Sequence, residues 1–179
     1  NHLGKPQYMP TGLKNPTSTV AIGFSATEGG ANTFEQQAVD LNLSPLDREV
    51  FVVLAIDLNL GEPDSVAGQD TAVSASVTTT SNTAVQNLSN SNCLTVARSA
   101  LRTHGAATDS GAPFTYSATE SPASLVEYIG IIATNDFFVQ IQGTGNANPK
   151  AVTGKLYGYR AVADASIYSA LVQSEVLSA

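Results

Sequence analysis

The sequence is poor in the residue types that carry most enzyme chemistry. Among 179 residues it has one cysteine, two histidines and no tryptophan. A single cysteine, Cys93, excludes a disulfide within the chain, and we interpret it as a small buried side chain. A Ser or Cys nucleophile needs a nearby base, but His2 lies near the first residue and His104 beside a glycine. Paired Cys and His ligands for zinc are also missing, so the signatures of nucleophilic hydrolases and zinc proteins are absent.

Charge is scarce as well. Asp, Glu, Lys and Arg make up 13% of the residues, and the net charge is -7. The eight Lys and Arg residues are scattered, whereas phosphate backbones are bound by clustered cations, so we expect no direct nucleic-acid binding. No stretch approaches the roughly 18 apolar residues of a membrane-spanning helix. The sequence starts at Asn1 without the basic and apolar regions of a signal peptide, and we expect a soluble protein.

Short β-strand patterns are abundant. The strongest is Glu49–Leu60, which opens as a continuous apolar run, typical of a strand buried on both faces, and then alternates. Regular spacing of such patterns predicts an all-β fold, a single jelly-roll barrel or sandwich of about eight antiparallel strands. The predicted strands are residues 19–24, 34–43, 49–60, 71–81, 114–117, 128–133, 137–142 and 151–159.

Two of the segments carry additional expectations. Residues 71–81 alternate Val and Ala on one face with Ser and Thr on the other, which predicts a half-exposed strand. In residues 93–102 leucine and alanine recur at helical spacing, although a strand period also fits. Because Asn92 can cap a helix, we favour a short helix there.

Turn residues predict how the last strands connect. Residues 134–136, Thr-Asn-Asp, have the chemistry of a tight hairpin between Ile132 and Phe137. Gly154 and Gly158 inside the final strand indicate a bend or a close approach of another backbone, typical of a strand that curves between two sheets.

The predicted organisation is one domain with two flanking segments. A chain of this length can bury its own core. Residues 1–17 are rich in Pro and Gly and are expected to form an extended N-terminal arm. Residues 18–163 form the β domain, and in residues 164–179 Asp164 is a candidate cap for a short helix or a docked tail.

Carboxylates provide the remaining candidates for chemistry. Asp57, Asn59, Glu62 and Asp64 lie close together near the end of the strongest strand, and their oxygens suit calcium. Their spacing does not match an EF-hand loop, so we expect a solvated strand end and treat the four as weak metal candidates. We assign no catalytic residue and no cofactor.

Two Asn-x-Ser patterns match the acceptor motif for N-glycosylation. They begin at Asn42 and Asn87. Such patterns are short enough to arise by chance, and they matter if the chain is secreted in a host that glycosylates.

The strand succession, the neutral Ser, Thr and Asn content, and two closing segments together resemble a known class. The segments are Phe-Phe-Val-Gln-Ile-Gln-Gly-Thr-Gly-Asn at 137–146 and Lys-Leu-Tyr-Gly-Tyr-Arg at 155–160. Over about residues 18–163 the chain resembles single jelly-roll capsid proteins, in particular the small major capsid proteins of icosahedral, internal-membrane-containing double-stranded DNA viruses of archaea and bacteria.

The resemblance implies a barrel that stands upright in the virion shell, subunits that pair or trimerise into capsomers, and terminal arms, here 1–17 and 165–179, that tie neighbours together. Implied partners are other copies, a second coat protein, and an internal viral membrane or its proteins, with no small-molecule substrate.

These observations predict a structural shell subunit and not an enzyme. Weakly charged polar faces repel one another little, so many copies can meet over small interfaces. One alternative is a β-sandwich adhesin, pilus or fibre subunit at an extracellular surface, which would use the N-terminal arm as a donated strand. A less favoured alternative is a jelly-roll hydrolase with a cleft lined by carboxylates, although nothing singles out two of the 15 acidic residues.

Overall fold

The computed structural model describes residues 12–102, 112–116, 119–120 and 128–177. Within these residues the chain forms eleven β-strands and one α-helix. In chain order they are β1 (Leu13–Lys14), β2 (Val20–Thr27), β3 (Glu35–Asp40), β4 (Glu49–Leu60), β5 (Thr71–Thr78), β6 (Cys93–Arg102), β7 (Ala112–Tyr116), β8 (Thr119–Glu120), β9 (Gly130–Ile132), β10 (Asp136–Thr144), β11 (Ala151–Ala163) and α1 (Ala165–Leu177). His104 and residues 1–11 of the predicted arm lie outside the described residues.

The strands form two antiparallel sheets that face each other. In the first sheet β11 lies between β4 on one side and both β1 and β2 on the other. On its other side, β4 pairs with the short strands β8 and β9. The order in the second sheet is β3-β10-β5-β6-β7.

The strand pairing is that of one long hairpin rolled into a barrel. β2 pairs with β11, β3 with β10, β4 with β9 and β5 with β6, and successive pairs fall in alternate sheets. The tip of this rolled hairpin is the connection from β5 to β6. This wrapping defines a jelly roll, and the predicted all-β jelly-roll fold is confirmed. Each of the eight predicted strands overlaps an observed one.

The core lies between the sheets, and in the first half of β4 alternate side chains point into it. Phe51 and Val53 of β4 point into it, whereas Val50 and Val52 pack on the outer face of the first sheet. All four side chains are buried, which explains the continuous apolar run and confirms the prediction that this part of the strand is buried on both faces.

Helix α1 covers that outer apolar patch. Asp164 caps the helix by accepting a hydrogen bond from the backbone N–H of Ile167 at 2.8 Å. This bond is the main reason that the pKa of Asp164 lies below its ordinary value. Ile167, Tyr168, Leu171 and Val172 then pack against the patch, so the predicted cap and helix are confirmed. In the described part of the chain no helix is long and apolar enough to cross a membrane.

The expected helix at Cys93–Arg102 is wrong, because this segment is strand β6. Its residues pair with β5 along one side and with β7 along the other. Thr95 and Ala97 are buried as alternate residues of that strand. Two flanking strands satisfy its backbone groups, and this tertiary pairing outweighs a weak helical spacing. Asn92 is not a helix cap; its side chain donates to the carbonyl of Glu175 at 3.1 Å.

The expected tight hairpin at residues 134–136 is also wrong. β9 pairs with β4 in the first sheet, and β10 pairs with β3 and β5 in the second. The turn therefore carries the chain from one sheet to the other. Asn135 supports this crossing by accepting hydrogen bonds from the N–H groups of Leu41, through its carbonyl at 2.8 Å, and Leu43, through its side chain at 2.7 Å.

Strand β5 is not half exposed as predicted. Ser76 and Thr78, on the face expected to meet solvent, are fully buried. The Ser76 hydroxyl donates to Gln140 Oε1 at 2.6 Å and accepts from the N–H of Gln86 at 3.0 Å. Gln140 Nε2 donates to Thr78 Oγ1 and to Gln36 Oε1, each at 2.8 Å. The β5–β6 connection thus covers a polar face whose hydroxyl and amide groups satisfy one another.

Gly158 lies in β11 directly against the backbone of β4. The register between the two strands shifts at Tyr157/Gly158, and a Cβ at Gly158 would collide with the carbonyl oxygen of Val52 and the ring of Phe51. The predicted close approach is confirmed, while β11 stays in the first sheet along its whole length.

We expect Gly158→Ala to lower the free energy of unfolding by about 2 kcal/mol or more, because backbone and a buried ring must move to admit the methyl group. Gly23→Ala is the matched control, since a Cβ there meets nothing closer than the carbonyl of Gly154 at 4.0 Å; its effect should stay within about 0.5 kcal/mol. Urea unfolding of both variants measures the difference. Equal losses would contradict the assigned role of Gly158.

Candidate interaction surfaces

Of the four weak metal candidates, Asp57 and Asn59 lie on β4, and Glu62 and Asp64 lie in the segment after it. Asp57 and Asn59 project from the outer face of the first sheet, opposite Lys155 and Thr153 of β11. Glu62 follows the strand and is exposed. Within the described ranges no three His, Cys, Asp or Glu side chains are grouped so that they could hold a metal ion.

Asp64 is engaged by donors from the β10–β11 connection. Lys150 Nζ lies 2.6 Å from Asp64 Oδ1, and Oδ2 accepts the backbone N–H groups of Ala147 at 3.1 Å and Asn148 at 2.9 Å. The hydrogen bond from Lys150 is the largest cause that holds the pKa of Asp64 below its ordinary value. Asp64 therefore fixes a loop and already has a cation beside it.

Glu28 anchors the same connection from inside the barrel. Its side chain is 3% exposed, and it accepts the N–H of Gly143 through Oε2 and the N–H of Lys150 through Oε1, both at 2.8 Å. Asn146 N–H donates to Asn32 Oδ1 at 2.8 Å. Sequence reasoning missed this cluster, although a Glu before two glycines and an Asn-rich segment between strands were its visible signals.

Glu175 holds the other end of β10. This residue of α1 is 5% exposed. Its Oε1 accepts the N–H of Ala133 at 2.8 Å, and its Oε2 accepts the hydroxyl of Thr134 at 2.6 Å. Among the described residues, Glu28 and Glu175 are the buried charged side chains, and both are used to fix the backbone. Nothing in the spacing of α1 distinguishes Glu175 before the fold is known.

Cys93 lies at the start of β6 and is half-buried. Its thiol donates to the carbonyl of Thr95 at 3.6 Å. Burial raises the pKa of the thiol to about 11, so little thiolate exists at neutral pH. Cys93 was interpreted from the sequence as a small buried side chain, and in the structure it is half-buried.

Both glycosylation motifs have exposed asparagines. Asn42 has a φ of 53° and is followed by the buried Leu43. Asn87 lies in the β5–β6 connection, where its Oδ1 accepts the N–H of Ser89 at 2.9 Å in an Asx turn. Neither asparagine is needed for the core.

The outward side chains of β2, at one edge of the first sheet, are small and uncharged. Outward positions of β2 are Ala21, Gly23, Ser25 and Thr27, and all four are exposed. In the described part of the chain the large exposed apolar side chains are Leu46, at 94%, Leu88, at 58%, and Val20, at 36%. A scarcity of charged side chains is a feature of the central part of protein interfaces.

A scan against protein-family models finds no match, and a search of curated proteins finds no relative. Among solved structures, the chain is similar to one from Desmodium yellow mottle tymovirus, with 15% identity over 89% of this chain and 95% of that chain and a TM-score of 0.34. It is similar to one from tomato aspermy virus, with 11% identity, 90% and 84% coverage and a TM-score of 0.39. For turnip yellow mosaic virus the values are 14% identity, 88% and 87% coverage and 0.28. At such identities and TM-scores, the jelly-roll assignment rests on the strand pairing itself.

We expect Glu175→Ala to lower the free energy of unfolding by about 2 to 3 kcal/mol, because it removes the acceptor of the buried N–H of Ala133 and of the partly buried N–H of Thr134. Hydrogen exchange should accelerate at Ala133 and along α1. Ser174→Ala, one exposed position earlier, is the control. Wild-type protection of α1 in the Glu175 variant would show that this carboxylate does not hold the helix.

Asp64 should stabilise the protein in a pH-dependent way. Its pKa in the folded state lies below the ordinary 3.8, so its contribution is complete above that value and is lost as the pH falls through the lowered pKa. The stability difference between wild type and Asp64→Asn should therefore persist from neutral pH to about pH 5 and shrink in stronger acid. Urea unfolding across this range, with the exposed Glu62→Gln as control, measures it. A difference that does not change with pH would refute the assignment.

Proposed function

We propose that this chain is a structural subunit of a viral capsid that self-assembles into capsomers and an icosahedral shell. The observation that carries the proposal is the rolled-hairpin pairing of β2 with β11, β3 with β10, β4 with β9 and β5 with β6. Jelly rolls recur in viral capsids, lectins and cupins. A sequence with two histidines and no tryptophan is poorly equipped for a cupin metal site or for stacking on sugars, which favours the capsid role.

The use of buried charge supports a structural role over an enzymatic one. Glu28 accepts the backbone N–H of Gly143 near the end of β10, and Glu175 accepts that of Ala133 shortly before β10 begins. Asp64 adds a third carboxylate to the loop after β10. An active site tunes such groups for chemistry, whereas here they hold connections in one conformation. A shell subunit needs that rigidity, because the same contacts must repeat in every copy.

The surface suits association without strong charge. The structure shows two ion pairs among the described residues, Arg102 with Asp70 at 3.6 Å and Lys150 with Asp64 at 2.6 Å. The pair of Lys150 and Asp64 lies within the hydrogen-bonded β10–β11 connection described above. Contacts between copies would therefore depend on apolar packing and neutral hydrogen bonds, and would be little weakened by salt.

The N-terminal segment is the best placed linker. Leu13 pairs with Ala163, and Gly12 accepts a hydrogen bond from the N–H of Asp164 at 2.9 Å. The eleven residues before Gly12 therefore depart beside the start of α1, and fully extended they would span roughly 36 to 40 Å. We assign the tie between subunits to them, since α1 packs on its own barrel. We include in this proposal that the assembled subunits contact a second coat protein or an internal viral membrane.

We expect the purified chain to form defined capsomers or closed shells, as measured by light scattering and then by electron microscopy of the same sample. Deleting residues 1–11 should reduce assembly, while circular dichroism still reports a folded β protein held by the core between the two sheets. A chain that stays monomeric at high concentration in its native salt would count against the proposal.

Linear fibres would instead favour the adhesin or pilus alternative, in which a donated strand completes a neighbour's sheet. A donated strand could pair with β11 on the side away from β4, but in this structure β1 and β2 of the same chain already occupy that side. A donated strand would have to displace them or add outside them. Loss of fibres on deletion of residues 1–11 would identify the arm as the donor.

A further inference from the structure

The connection between β3 and β4 presents a rigid apolar knob. Leu46 is 94% exposed and lies in the middle of a tight turn in which the N–H of Arg48 donates to the carbonyl of Pro45 at 3.1 Å. The base of the turn is closed by the N–H of Glu49, which donates to the carbonyl of Ser44 at 3.0 Å. A leucine held in water by a fixed turn is ready to be buried by a partner with little loss of conformational entropy.

An apolar groove lies directly beside this knob. Its volume is about 260 Å³, enough for a leucine side chain. None of the side chains that line it is charged; they are Leu43, Pro45, Ala133, Thr134, Asn135, Tyr168 and Val172. Pro45 immediately precedes Leu46, so knob and groove are neighbours on one surface, with adjacent Cα atoms about 3.8 Å apart.

We propose that Leu46 of one copy seats in this groove of a second copy, while the second copy's Leu46 seats in the groove of the first. The inference rests on the proposed self-assembly and names one of its contacts. A second copy is the fitting occupant because the same chain carries both complementary parts side by side. A two-fold rotation then brings both pairs together at once, as in isologous interfaces. The exposed Asn135 and the hydroxyl of Thr134 lie beside the apolar centre, the arrangement usual at protein interfaces.

The first test removes the knob. Leu46→Ser should raise the dissociation constant for the contact between copies about tenfold or more, since it removes a leucine from each buried pair. Leu88→Ser is the matched control, because it removes an exposed leucine from a different loop. Sedimentation equilibrium measures the association. Thermal unfolding should be unchanged in both variants, because neither leucine packs in the core.

The second test restores the contact by mixing. Val172→Phe fills the groove and keeps the knob, whereas Leu46→Ser keeps the groove and lacks the knob. Each variant should associate poorly by itself, and an equal mixture should associate better than either, because one knob and one open groove remain in each mixed pair. If Val172→Phe unfolds at a lower temperature than wild type, disulfide formation between copies of a Leu46→Cys, Val172→Cys chain replaces it. Cys93 interferes little with that experiment because its thiol is half-buried and has a raised pKa.

The outcomes separate this inference from the capsid proposal. If wild type assembles and Leu46→Ser assembles equally well, the knob-and-groove contact is overturned and the capsid proposal stands. If wild type never associates, the capsid proposal fails and this contact fails with it. Selective loss of association in Leu46→Ser together with recovery in the mixture supports both.

Discussion

The antiparallel pairing of β4 with β11 is the interaction on which the rest of the structure depends. It runs from Val152 opposite Leu60 to Val162 opposite Glu49. β11 also pairs with β1 and β2, and β4 also pairs with β8 and β9, so every strand of the first sheet is attached through these two. Their inner side chains form much of the core and their outer ones support α1. Such close pairing requires Gly158, where no Cβ fits.

Polar groups give this hydrophobic framework a single shape. A buried polar group is costly unless it is hydrogen-bonded, and the carboxyl groups of Glu28 and Glu175 accept hydrogen bonds from backbone donors near the two ends of β10. The network of Ser76, Thr78 and Gln140 does the same with uncharged groups beneath the β5–β6 connection. As a result, hydrogen bonds hold the β9–β10, β10–β11 and β5–β6 connections to the barrel. The proposed contacts between copies are made at the turn that carries Leu46 and at the N-terminal segment.

Sequence reasoning succeeded where the signal is local. A strand buried on both faces leaves a continuous apolar run, and the bounds predicted for β4 coincide with the observed ones. Asp164 was identified as a helix cap from its position before an apolar segment, because capping involves residues three apart in the chain. It failed where the partner is distant. The strand character of β6 depends on β5 and β7, and the burial of Ser76 depends on a loop that folds over it.

The sequence by itself therefore determined the fold class, the approximate place of most strands, the low charge and the shortage of catalytic residue types, since these follow from composition and from side-chain alternation within a strand. The tertiary structure decided which strands pair, that residues 134–136 cross between sheets, that Glu28 and Glu175 are buried anchors, and that Leu46 stands beside an apolar groove. These features arise from contacts between residues far apart in the chain. Pairing of backbone groups is nearly independent of side-chain identity, so a strand pattern does not specify its neighbour, and burial is a property of the packed whole.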